Sequence, residues 1–129
     1  MDAPLPVALP PPGHVLGPFA DIAEGTAGVF EFREGHLRVE IFVLRHLGGV
    51  VGYVNDCPHR HLPLDGMPGR FLTREGTLIQ CVNHGAKFRI EDGVCIDGPC
   101  LGSGLTPVAV AVVDGLVVLA APPRRLSRR

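Results

Sequence analysis

Apolar and polar positions alternate over short runs through most of this chain. Between His36 and His46, Leu37, Val39, Ile41 and Val43 fall on one side, and Arg38 and Glu40 on the other. That two-residue period is the signature of a half-buried strand. Val29–Arg33, after Gly28, is predicted as a shorter strand, and Glu34-Gly35 between the two runs predicts a hairpin turn. Val50–Val54 follows the turn signal Gly48-Gly49. Thr77–Val82 and Ala86–Ile90 are predicted as a second pair of short strands around Asn83-His84-Gly85. Val108, Val110 and Val112, then Leu116–Ala120, flank Asp114-Gly115, the strongest hairpin signal in the chain. Phe19–Glu24 supports at most one helical turn, and no helical period is sustained. Many short strands separated by Gly and Pro predict an all-β fold, a small sandwich or barrel.

Composition narrows the picture. With 129 residues, of which 46% are hydrophobic, the chain has the material for one packed domain. Its formal net charge of -1 argues against nucleic-acid binding by bulk charge. It has no Trp, which argues against an aromatic-lined sugar or base site. Residues 1–13 carry five prolines and are expected to form an extended or poorly ordered arm. Residues 122–129, PPRRLSRR, are expected to form a basic, solubilising tail. The domain itself is expected over residues 14–121. Asp2 and the prolines after it do not suit a signal peptide, and no apolar run suits a membrane span. The expected compartment is therefore the cytoplasm. There, four cysteines are more readily metal ligands or thiols than disulfides.

One interval breaks the strand pattern. Between Asn55 and Gly76 there is no periodicity, but Pro58, Pro63, Gly66, Pro68 and Gly69 occur. A loop of that length in a small domain is usually functional or disordered. It opens with Cys57-Pro58-His59, and a second cluster, Cys81-Val82-Asn83-His84, follows the next strand. Each pairs one thiolate with one imidazole in a tight loop, where the freely turning backbone can aim both at one ion. Three readings stand at this point: chance proximity, a tetrahedral structural zinc, and a [2Fe–2S] cluster with mixed ligands.

The concrete form of the two clusters, CPHRHLPL and CVNHGAKF, resembles the Rieske iron–sulfur proteins. Gly98-Pro99, followed by Leu105 and Pro107, resembles that family's proline loop and return strand, and the likeness extends from about Phe42 to Val118. The resemblance implies an antiparallel β-sandwich with a small inserted cluster-binding subdomain over about residues 55–97. It implies one [2Fe–2S] cluster per chain, with Cys57 and Cys81 on the inner iron and His59 and His84 on the outer one. Two ferric ions, two sulfides and two thiolates sum to zero charge, so an electron is added to a neutral site. The resulting potentials span about −150 to +300 mV, against roughly −400 mV for plant-type ferredoxins.

The family's high-potential members carry an extra cysteine in each ligand loop and hydroxyls near the cluster. Here those positions hold Leu62 and Asn83, and Ala86 and Phe88. The resemblance therefore implies a low-potential, ferredoxin-like electron carrier rather than an enzyme. Its partners would be a reductase and a terminal oxidoreductase. A fixed small subunit of a nitrite-reductase-like or oxygenase assembly is the alternative, and a monomer is the expected state. The chain lacks the length for a second domain with a mononuclear iron triad. Arg60 and Lys87 are candidates for a basic rim beside the ligands, or are simply solvated. Cys95 and Cys100 are expected as reduced thiols, and His61 as a solvated side chain. Asp56 and Asp65 are expected to cap turns.

Overall fold

The computed structural model describes residues 8–56, 64, 71–73, 75–81, 85–98 and 101–120. The ten strands found there form three antiparallel sheets. They are β1 (Val15–Pro18), β2 (Ala27–Glu34), β3 (Leu37–His46), β4 (Gly49–Val54), β5 (Leu78–Gln80), β6 (Lys87–Arg89), β7 (Cys95–Asp97), β8 (Pro107–Val108), β9 (Val110–Val113) and β10 (Leu116–Leu119). The largest sheet has the order β2-β3-β4-β8, the second β1-β10-β9 and the third β5-β6-β7. A single 3-10 turn, Phe19–Asp21, occupies part of the segment expected to make one helical turn.

Turn chemistry sets the hairpin registers. Glu34 pairs with Leu37 across Gly35 (φ 64) and His36. His46 pairs with Gly49 across Leu47 and Gly48, both with positive φ (54 and 79). Positive φ at both loop residues matches the right-handed strand twist, but it strains a side chain such as Leu47. The Leu47 and Gly48 amides donate to the Glu24 carboxylate at 2.7 and 3.1 Å, which holds the turn in place. Asp114 (φ 51) and Gly115 (φ 77) make the matching turn between β9 and β10, as the sequence predicted.

Two departures from the predicted strands have clear causes. The run from Val108 to Val112 is not one strand. Val108 joins β4, Val110–Val113 joins β10, and the chain changes sheets at Ala109. β1 has no strand signature in the sequence because Gly17 and Pro18 lie inside it. It is an edge strand, where a missing N–H is tolerated. Residues 8–13 lie on the sandwich: Leu9 packs against its core, and the Gly13 N–H donates to the Leu119 carbonyl at 2.7 Å.

β3 is the strand on which the two halves of the molecule meet. Val39, Ile41 and Val43 point into the sandwich core beside Val54, Val108, Val117 and Leu119. Phe42 and Leu44, on the opposite face, are equally buried in a second core with Leu64, Phe71, Ile79, Cys81, Phe88 and Leu105. Alternation therefore fails over 41–44 because the inserted subdomain covers the face that water would otherwise take. Phe71 stacks on Phe42 with centroids 4.1 Å apart and an interplanar angle of 13°. Residues 71–73 are not irregular either. Leu72 bridges to Ile79, and backbone bonds join Thr73 to Leu78 and Gln80 to Phe71.

Candidate metal centre

The second ligand loop follows directly from β5. Cys81 has no exposed surface and sits in the subdomain core. Its N–H donates to the Ala86 carbonyl at 2.8 Å, and the Gly85 N–H donates back to the Cys81 carbonyl at 2.9 Å. Gly85 takes φ 73, a conformation that suits glycine, and these bonds bring the two ends of the loop together. β6 then carries Lys87 toward Asp97 of β7, with Nζ and Oδ2 3.8 Å apart. The basic rim imagined at Lys87 is thus partly countered by Asp97.

Gly98 backs this turn. Its φ is 106, and a Cβ there would stand 2.7 Å from the Ala86 Cα. Gly98, directly after β7, therefore lies against Ala86 with no room for a side chain; Pro99, the rest of the expected proline loop, lies outside the described residues.

Tyr53, on β4, ties the far end of the subdomain to the sandwich. Its hydroxyl donates to the Ile90 carbonyl at 2.6 Å. Burial, with lesser contributions from Asp92 and Glu91, pushes its pKa up to about 12. In the β6–β7 turn, Asp92 accepts from the Arg89 guanidinium and from the Val94 N–H. The Arg89 hydrogen bond, followed by the Val94 N–H, holds the Asp92 carboxyl below its ordinary range. Gly93 (φ 73) presses on the Tyr53 ring, where a Cβ would lie 2.7 Å from Cε1.

Of the four expected ligands, the structure describes Cys81. Cys57, His59 and His84 lie outside the described residues, as do Arg60, His61, Leu62, Asp65, Asn83 and Cys100. What is described fits an iron–sulfur centre. A thiol donor is withdrawn from water at the base of a turn, and backbone groups and glycines shape the space around it. Ala86 and Phe88 are both fully buried and carry no hydroxyl. Cys95 is buried, with Sγ 3.3 Å from the Asp97 carbonyl oxygen. Several residues that shape the site carry no sequence motif. By sequence Gly98 is only part of a loop, and Asn55, Leu64 and Phe71 belong to no motif.

Residues 14–117 match the Rieske [2Fe-2S] domain. No curated protein sequence matches the chain. Among solved structures, the ferredoxin of carbazole 1,9a-dioxygenase from Nocardioides aromaticivorans IC177 is 23% identical with a TM-score of 0.66, covering 86% of this chain and 98% of its own. The Sphingomonas yanoikuyae B1 ferredoxin is 25% identical with a TM-score of 0.65, covering 84% and 97%. The terminal oxygenase of the Nocardioides carbazole dioxygenase is 22% identical with a TM-score of 0.70; 89% of this chain matches 31% of that one. This chain thus spans nearly the whole of the ferredoxins and about a third of the oxygenase. These likenesses agree with an all-β, antiparallel fold, and the matched domain takes a [2Fe–2S] cluster as its cofactor. Since the matched segment runs from before β1 into β10, the chain belongs to the Rieske [2Fe-2S] domain family.

Proposed function

We propose that this protein is a one-electron carrier in which Cys57 and Cys81 hold the inner iron of a [2Fe–2S] cluster and His59 and His84 the outer. The cluster, when bound, accepts and releases a single electron. The protein's own part is to keep the thiolate end dry and to bring the two ligand loops together. The observation that carries this reading is the placement of Cys81, fully buried in a self-closed turn that Gly98 backs. The second pair, His84 beside Gly85, lies in that same turn by sequence.

The carrier works between a reductase and a terminal oxidoreductase. One related structure is a complex of reduced oxygenase and oxidized ferredoxin in carbazole 1,9a-dioxygenase, which supports an oxygenase as the acceptor class. The fold also occurs within terminal oxygenase chains, which supports the fixed-subunit reading as second choice. Cysteine ligands that must stay reduced favour a cytoplasmic carrier. Among the described residues no helix is long and apolar enough to cross a membrane.

Reconstituted protein is expected to contain iron and acid-labile sulfide in equal amounts and to give a rhombic EPR signal on reduction. His84→Ser should abolish that signal. A spectrum unchanged in His84→Ser would refute the ligand assignment, and zinc without sulfide would refute the cluster. Gel filtration of native extract separates the carrier from the subunit.

A further inference from the structure

The two ligand loops are closed in different ways. The second is closed by its own backbone, between Cys81 and Ala86. Among the described residues, the first is spanned from entry to exit by one side chain. Asn55 leaves the end of β4 two residues before Cys57 and is 7% exposed. Its N–H donates to the Glu40 carbonyl of β3 at 2.8 Å. Its Nδ2 donates to Glu40 Oε1 at 2.7 Å, and its Oδ1 accepts from the Leu64 N–H at 2.8 Å. Leu64 is itself fully buried. A single amide thus joins the entry of residues 56–63 to their exit and ties both to β3.

The chemistry of that position is narrow. It needs a donor toward a carboxylate and an acceptor toward a backbone N–H, and the primary amide of Asn supplies one of each. A carboxylate there would face Glu40 with like charge. An apolar side chain would leave the Leu64 N–H and the Glu40 carboxylate without this partner in a low-exposure site. We propose that Asn55, backed by Glu40, is a positioning residue that sets the first ligand pair, Cys57 and His59, against the cluster. The proposal rests on the ligand assignment above. It adds that the first loop's geometry depends on a side-chain clamp between its entry at Asn55 and its exit at Leu64.

The test uses reconstituted full-length protein and compares wild type, Asn55→Ala, Asn55→Asp, the double swap Asn55→Asp/Glu40→Gln, and Tyr53→Phe as a control. Tyr53→Phe removes another buried hydrogen bond of the same core, away from the ligand loops. Iron and sulfide content, the rate of colour loss to an iron chelator, and the EPR g-values of the reduced protein are measured. Asn55→Ala and Asn55→Asp should lose colour about tenfold to a hundredfold faster, with shifted g-values. The double swap restores the donor–acceptor pattern with its polarity reversed toward Glu40. It should return retention and g-values toward wild type, while Tyr53→Phe keeps the wild-type rate.

Wild-type colour loss and g-values in Asn55→Ala would overturn the proposal. So would a double swap no better than Asn55→Asp, or a Tyr53→Phe protein that bleaches as fast as Asn55→Ala. If Asn55→Ala does not fold, the double swap decides by the same readouts. Wild-type protein without iron and sulfide would instead overturn the ligand assignment on which the proposal rests.

Discussion

Tyr53→Phe tests the join between subdomain and sandwich, and its effect depends on pH in a way the structure fixes. The phenol is 2% exposed and donates at 2.6 Å to the Ile90 carbonyl, beside a turn that carries Glu91 and Asp92. Removing the hydroxyl near neutral pH strips that carbonyl of its donor and should cost about 1–2 kcal/mol. Burial first, then the two carboxylates, raise the folded-state pKa from 10.0 to about 12. Between those values the native phenol keeps its proton while that of the unfolded chain has lost it. The unfolded state then binds fewer protons, so wild-type stability falls as pH rises, by about 1.4 kcal/mol per pH unit. The contribution is complete below the unfolded-state value and is lost as pH rises through the folded one, close to 3 kcal/mol in all. Tyr53→Phe has no such term. The wild-type advantage should therefore shrink above about pH 10 and reverse before about pH 12. Urea unfolding of both proteins across this range measures the gap. Tyr53 is the only tyrosine and there is no Trp, so tyrosinate absorbance reports its titration alone. Native protein titrating at the ordinary tyrosine value, or a gap that stays constant with pH, would refute the reasoning.

Gly98→Ala combines a positive φ with a 2.7 Å approach to the Ala86 backbone. It should lower stability by about 2–4 kcal/mol in denaturant titration; a loss below about 0.5 kcal/mol would show that the two loops separate freely. Leu47 is 85% exposed at φ 54. Leu47→Gly should relieve that strain and raise stability by about 1 kcal/mol, and thermal unfolding with a lower midpoint would contradict this. With Ala86 and Phe88 in place of hydroxyl donors, the reduction midpoint is expected below about +100 mV; a redox titration above that value would show that other donors set the potential.

The sandwich was legible because its strands have one wet face and its turns carry strong local chemistry. Asp114-Gly115 marked the β9–β10 hairpin, and Gly35 the β2–β3 turn, since a positive φ leaves few residue types to choose from. Residues 41–44 misled for the opposite reason. Burial on both sides erases alternation, and nothing local says that Phe42 will meet Phe71 across the chain. β7 and β8 are too short to show a period, and Val108 reads identically whether it joins β4 or continues into β9. At the proposed centre, the spacing of the two Cys–His clusters left three readings open, and the likeness of CPHRHLPL and CVNHGAKF to the Rieske proteins chose among them. Asn55 and Gly98 carry no such signal, because their roles lie in what they approach: Glu40 and Leu64 for one, the Ala86 backbone for the other. Such contacts exist only after folding.

The pairing of β4 with β8 has one more consequence. Tyr53 stands opposite Pro107, and the Val54 N–H donates to the Thr106 carbonyl at 2.9 Å. The chain thus departs from the large sheet and rejoins it at neighbouring points, so residues 55–106 form a cassette hung from two adjacent hooks. A short reverse turn of suitable hand would bridge the same gap. Excising the cassette in favour of such a turn would keep the β4–β8 attachment but lay bare Phe42 and Leu44, so any replacement must bring an apolar underside of its own.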